Sequence, residues 1–161
     1  MNGLTDDACG ADATSGHDTI RAIQWREDGL LLLDQRRLPE EEVWLCPADA
    51  AAVTAAIRDM VVRGAPAIGI TAAYGVVLCA RQHYRSDVDA WQERLAADME
   101  LIGSARPTAV NLAWALSRMQ RRLRQPAADP VAGLLDEARR IHAEDVEANH
   151  AMGELGAGLI D

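Results

Sequence analysis

The chain has 161 residues, enough for one core of useful size, and carries 25 acidic against 16 basic residues, a formal charge of −9. That balance argues against nucleic acid or an anionic membrane surface as the main partner, so an anionic ligand needs a few local arginines working against the general field. Apolar residues make up 49%, but much of this is alanine, aromatics are only 4% and phenylalanine is absent. Such a composition predicts closely packed small-residue helices rather than a sandwich of large rings.

Residues 1–18, "MNGLTDDACGADATSGHD", are polar and acidic. They read as a disordered tail, without the basic then apolar pattern of a signal peptide. The ordered chain is expected from Thr19. "TIRAIQW" has strand-like spacing, "REDG" supplies a turn ending at Asp28-Gly29, "LLLLDQ" is a second apolar run, and "VWLC" at 43–46 makes a third strand. Residues 19–46 are thus expected to form a small antiparallel sheet, and residues 47–161 a helical domain.

The first helix follows Pro47-Ala48, with Val53, Ala56, Ile57, Met60 and Val61 on one face. A helix from about Asp87 is expected to turn Val88, Trp91, Leu95 and Ile102 inward. Another begins at Pro107 and carries Leu112, Ala113, Leu116, Met119 and Leu123, and a long one runs from Val131 to about Leu155. The fold class is α+β: a small antiparallel sheet followed by about five helices.

Between the first two of these helices lies "VVRGAPAIGITAAYGVVLCAR", uncharged from Gly64 to Ala80. A membrane span needs about 20 apolar residues, and this stretch is short of that and holds Pro66, Thr71 and several glycines. It reads as a buried core helix in which Gly69 and Ala73 let neighbours approach closely. Its entrance is unusual. Arg63-Gly64-Ala65-Pro66 joins a guanidinium, a permissive glycine and a helix-starting proline, next to amides at the positive end of the helix dipole. These parts can hold an anion such as phosphate; an ordinary turn whose arginine pairs with a carboxylate explains them too. "GSARPTAVNL" repeats the design, with Arg106 directly before Pro107 and hydroxyls at Ser104 and Thr108. Two arginine-before-proline starts in one domain suggest a shared phosphate-bearing ligand.

Cys9, Cys46 and Cys79 are far apart and match no disulfide framework or zinc pattern, which fits a reducing cytoplasm. Cys79 reads as an inert core thiol. His142 and His150 lie two turns apart without a third ligand, as expected of a solvated helix face. Asp34-Gln35 reads as a turn or a site-orienting pair. Trp25, Trp44, Trp91 and Trp114 read as core or interface residues.

"IRAIQW", "LLLLDQRRLP", "AIRDMVVRGAPAIGITAAYG", "SARPTAVNLAWAL" and "EANHAMGELGAGLI", in that order, resemble the first half of the 5-methylthioribose-1-phosphate isomerase family. That family is related to the regulatory subunits of a translation-initiation nucleotide exchange factor. The resemblance implies the N-terminal domain of a two-domain, homodimeric cytoplasmic enzyme of methionine salvage whose Rossmann-like half lies outside this chain. It implies a phosphosugar substrate, no metal or redox cofactor, and no nucleic-acid or membrane partner. Arg63, Gly64, Ala65 and Arg106 become substrate-binding residues. The family's cysteine, in a "THCNAG"-like motif, and its acid/base aspartate belong to the second half. No catalytic residue is therefore assigned here, and a chain ending at Asp161 is expected to be inactive alone. A related pentose or deoxypentose phosphate as substrate, and a non-catalytic regulatory subunit, stay open as alternatives.

Overall fold

The computed structural model describes residues 4–5, 21–27 and 29–159. The expected disordered tail over residues 1–18 lies, apart from Leu4–Thr5, outside them. Four strands form one antiparallel sheet in the order β1-β4-β3-β2: β1 (Leu4–Thr5), β2 (Ile23–Arg26), β3 (Gly29–Leu33) and β4 (Trp44–Pro47). The β2–β3 hairpin pairs Ile23 with Leu32 and Arg26 with Gly29, and β3 sets Leu33 opposite Trp44 of β4. This register sends Ile23, Leu30, Leu32 and Leu45 into the core, while Arg26 and Gln24 bond each other on β2. β1 adds an edge to the sheet, with Leu4 opposite Pro47, the last residue of β4.

Five helices follow: α1 (Ala50–Arg58), α2 (Ala65–Ser86), α3 (Trp91–Ser104), α4 (Val110–Leu123) and α5 (Pro130–Ala157). The α+β architecture expected from the sequence is the one observed. Asp49 caps α1 by accepting from the Ala52 amide at 2.8 Å, and Asp129 caps α5 by accepting from Ala132 at 2.9 Å. The middle of α2, from Ile68 to Ala80, is wholly buried, packed against all four other helices and against β2 and β3. Glycine makes the close approaches possible. A Cβ at Gly75 would stand 2.7 Å from Val53 of α1, and one at Gly69 would stand 2.8 Å from the Asn111 backbone oxygen of α4. No helix among the described residues is long and apolar enough to cross a membrane.

Several inward positions and two helix starts differ from the pattern reading. Met60 is 43% exposed with φ of 61°, because α1 ends in a left-handed turn: Met60 N donates to Ile57 O at 3.4 Å and Val61 N to Ala56 O at 2.9 Å. Val88 is 61% exposed, since Asp87 accepts from the amides of Asp89 and Ala90 and delays α3 to Trp91. Ala113 is exposed, and Ala115 fills the core in its place. α4 begins at Val110 rather than Pro107, because Ala109 N closes a turn onto Arg106 O at 2.9 Å and Ala109 itself is extended.

Candidate functional site

The loop before α2 is built by two backbone devices. The left-handed Met60 reverses the chain after α1, and Gln35 N donates to Val61 O at 3.0 Å, tying the β3–β4 loop to it. That loop is stiffened by Asp34, a buried carboxylate accepting from Arg36 Nε at 2.8 Å and Nη2 at 2.6 Å. The Arg36 hydrogen bonds hold the Asp34 carboxyl below its ordinary range. Asp34 thus makes a turn, one of the two roles its sequence context allows.

Gly64 then caps α2 with φ of 91°, a conformation that L residues with side chains avoid. Nothing lies within 4 Å of a Cβ placed there, so the demand for glycine comes from the backbone and not from space. No side chain caps this end, and Pro66 sits in the first turn, so the amides of Ala65 and Ala67 have no partner inside the helix. Arg63, Gly64, Ala65 and Pro66 are all exposed, as are Arg106, Pro107 and Thr108. Neither arginine sits at a buried helix entrance, and Arg106 lies in a turn ahead of α4 instead of directly before its first residue.

The starts of α2 and α4 nonetheless border one cleft of about 360 Å³. Pro66, Gly69 and Ile70 come from the first motif and Val110, Asn111 and Trp114 from the second; Ile141, Glu144 and Asp145 of α5 complete it. Arg63 and Arg106 do not line this cleft. Both side chains are solvent-facing, without a hydrogen bond or ion pair to other described residues. The hydrogen bonds of Arg118 hold the Glu144 carboxyl below its usual value, so Glu144 stands on that side of the cleft as an ion-paired carboxylate beside Asp145. The arrangement suits an apolar group lying between the helices with an anion nearer the α2 amides, away from Glu144 and Asp145. It offers binding groups but no nucleophile.

Sequence reasoning missed Asn111, Glu144 and Asp145 as lining residues. Asn111 follows Arg106 within the same motif and was within reach, whereas the α5 pair depends on tertiary packing. Trp114, at 46% exposed, is not a core residue.

Elsewhere, Cys79 is fully buried, and burial foremost, then the Asp98 charge, pushes its thiol far above the ordinary value. It is an inert core group. Cys46 is half-buried on β4 and Cys9 lies outside the described residues. His150 is exposed, but His142 is not on a solvated face: it is half-buried, with Nδ1 3.3 Å from the Tyr74 hydroxyl and its ring edge-on to Tyr74, which in turn stacks on Trp25. His142 follows Leu134 and Ala138 at helical spacing, which carries it to the margin of the core stripe. Among the described residues no group of three or more His, Cys, Asp and Glu is arranged to hold a metal.

A small sheet leading into helices packed around α2, with two motif-bearing helix starts on one cleft, defines the class. The chain belongs to the Initiation factor 2 subunit family, whose pattern matches residues 61–161 and so includes both motifs. It is 58% identical over 144 residues to a methylthioribose-1-phosphate isomerase of Alkalilimnicola ehrlichii, covering 89% of this chain and 42% of that one. Its structure resembles a 5-methylthioribose 1-phosphate isomerase from Pyrococcus horikoshii, with TM-score 0.80 at 34% identity over 88% of this chain and 41% of that one. It resembles equally the translation initiation factor eIF-2B subunit delta from A. fulgidus, with TM-score 0.80 at 39% identity over 89% and 42%. The chain thus spans well under half the length of these relatives.

Proposed function

We propose that the complete protein is a methylthioribose-1-phosphate isomerase, converting an aldose 1-phosphate to the ketose 1-phosphate, and that this chain supplies part of its substrate site. The observation that carries the reading is the single cleft bordered by both motif-bearing helix starts. Arg63 and Arg106 bind the substrate from its rim, together with the Gly64-Ala65 backbone. The phosphate on C1 blocks the ring opening available to a free aldose. The furanose must open, and hydrogen must move from C2 to C1, in a water-poor pocket that strengthens its electrostatics. No reacting group is assigned to this chain. The reading includes cytoplasmic methionine salvage and a homodimeric complete enzyme.

A second reading, a non-catalytic regulatory subunit, is favoured by the equal likeness to the eIF-2B subunit. One experiment separates them. This chain is joined to the part of the A. ehrlichii isomerase that it does not match, and the chimera is assayed with methylthioribose 1-phosphate. Turnover is expected, with Arg63→Ala and Arg106→Ala each weakening substrate binding by about tenfold or more and Arg85→Ala having little effect. A folded chimera that binds the phosphosugar without converting it favours the regulatory reading. Equal effects of all three substitutions would remove Arg63 and Arg106 from the site.

A further inference from the structure

On α4, Trp114, Arg118, Arg121 and Arg122 follow one another at helical spacing, with Gln125 just past the helix end, so one stripe of the helix carries three guanidiniums. The stripe lines a second cleft, of about 380 Å³, closed from α5 by Glu137 and Arg140. In a chain of charge −9, this concentration of cations is unusual.

The arginines are not equivalent. Arg118 is consumed internally: it bonds Glu137 and Glu144, and its guanidinium lies 5.3 Å from the Trp114 ring centroid. Arg140 donates to the other oxygen of Glu137 at 3.2 Å. The one carboxylate in the cleft wall is therefore already shared by two cations. Among the described residues the Arg121 guanidinium bonds only the neutral Ser117 hydroxyl, at 3.1 Å. The Arg122 guanidinium has no hydrogen-bond or ion-pair partner among the described residues, yet the residue is half-buried and its side chain is laid across α5 at Gly133. A Cβ at Gly133 would come within 2.1 Å of its Nη2, so the absence of a side chain at 133 is what seats this guanidinium. Helix-end electrostatics explain why arginines gather in the last turns of α4. They do not explain a buried glycine seat for a cation left without an acid.

We propose that this cleft is a second anion site, which takes a phosphate group of a small molecule between Arg121 and Arg122, with Arg140 and Gln125 at its edge. Arg121 and Arg122 each stand one turn from Arg118, where like charges on a helix repel, and an anion in the cleft that all three line reverses that repulsion. The guanidinium fork matches phosphate geometry. The cleft's size suits a phosphate ester or pyrophosphate and is too small for an extended acidic peptide. Trp114 lines both this cleft and the one between the α2 and α4 starts, so the two share a wall.

The test is titration of the 161-residue chain with pyrophosphate, and separately with inorganic phosphate and an acidic peptide, followed by calorimetry and tryptophan fluorescence. Saturable pyrophosphate binding is expected, weakened by about tenfold or more in Arg121→Gln and in Arg122→Gln, and also in Gly133→Ala, which evicts Arg122. Weaker saturation by inorganic phosphate identifies the free ion as a sufficient ligand; its absence shows that an ester or second phosphate is needed. Binding should persist in the Arg63→Ala, Arg106→Ala double variant, which separates this site from the proposed substrate site. The proposal is overturned by no saturation at about 10 mM ligand, by unchanged affinity in folded Arg121→Gln and Arg122→Gln, by loss in the Arg63/Arg106 variant, or by binding of the peptide alone.

Discussion

Gly69 of α2 faces the Asn111 backbone oxygen of α4 so closely that a Cβ at residue 69 would stand 2.8 Å from it. Both residues line the cleft between the two motif-bearing helix starts. The width of that cleft is therefore set by a contact between a missing side chain and a peptide carbonyl, which cannot rotate away.

Gly69→Ala is expected to force α4 away from α2 and to destabilise the chain by about 1–3 kcal/mol. Gly153→Ala is the matched control: it lies inside α5 with nothing within 4 Å of its would-be Cβ. There alanine is expected to stabilise by about 0.5–1 kcal/mol, through backbone entropy alone. Urea denaturation of both variants checks the pair; a neutral Gly69→Ala would show that the helices are not held by this contact.

Met60 offers the opposite test at the entrance to the Arg63 loop. It occupies a left-handed conformation that costs a residue with a side chain roughly 1–2 kcal/mol, and its own side chain is exposed. Met60→Gly is expected to raise stability by about 1 kcal/mol, the relief of that strain being partly offset by unfolded-state entropy. Thermal melting measures it, and a lower midpoint would mean that Met60 packs where it stands.

His142 makes stability depend on pH. Burial foremost, and then the Arg21 charge, lowers its pKa below the ordinary 6.5, although the Asp145 charge pulls the other way. Arg139 and Glu147 border the same pocket. The folded state resists a proton that the unfolded chain accepts. The contribution is therefore fully present above pH 6.5 and is lost as pH falls from there through the lowered folded value. Melts at pH 7.5 and 5.5 should show a smaller drop in midpoint for His142→Gln than for the parent chain. An unchanged drop would assign the dependence to other groups.

Much of this architecture was readable because small and large apolar residues alternate with clear periods. Val53, Ala56 and Ile57 of α1 and Trp91, Leu95 and Ile102 of α3 all face inward as their spacing requires. The misses cluster where one polar group or one backbone angle overrides the period. Asp87 ties down the chain ahead of α3 and strands Val88 outside; a left-handed residue turns Met60 out; Arg106 O closes a turn that postpones α4 past Pro107. The two motifs were legible as helix starts near one ligand. Their relation to Glu144 and Asp145 was not, because those side chains reach the cleft from a helix whose angle only packing decides.

The enclosure of α2 carries a consequence for how the chain is made. Its last residue, Ser86, is synthesised before any of α3, α4 or α5, yet its apolar surface is shared among all of them. At roughly 5–20 residues per second, a nascent chain spends several seconds between Ser86 and Ala157. During that interval α1, the sheet and then α3 are the only elements available to cover α2, while the flanks reserved for α4 and α5 have no partner yet. Those flanks include the Gly69 surface that later meets Asn111, so this surface is among the last on α2 to gain its partner.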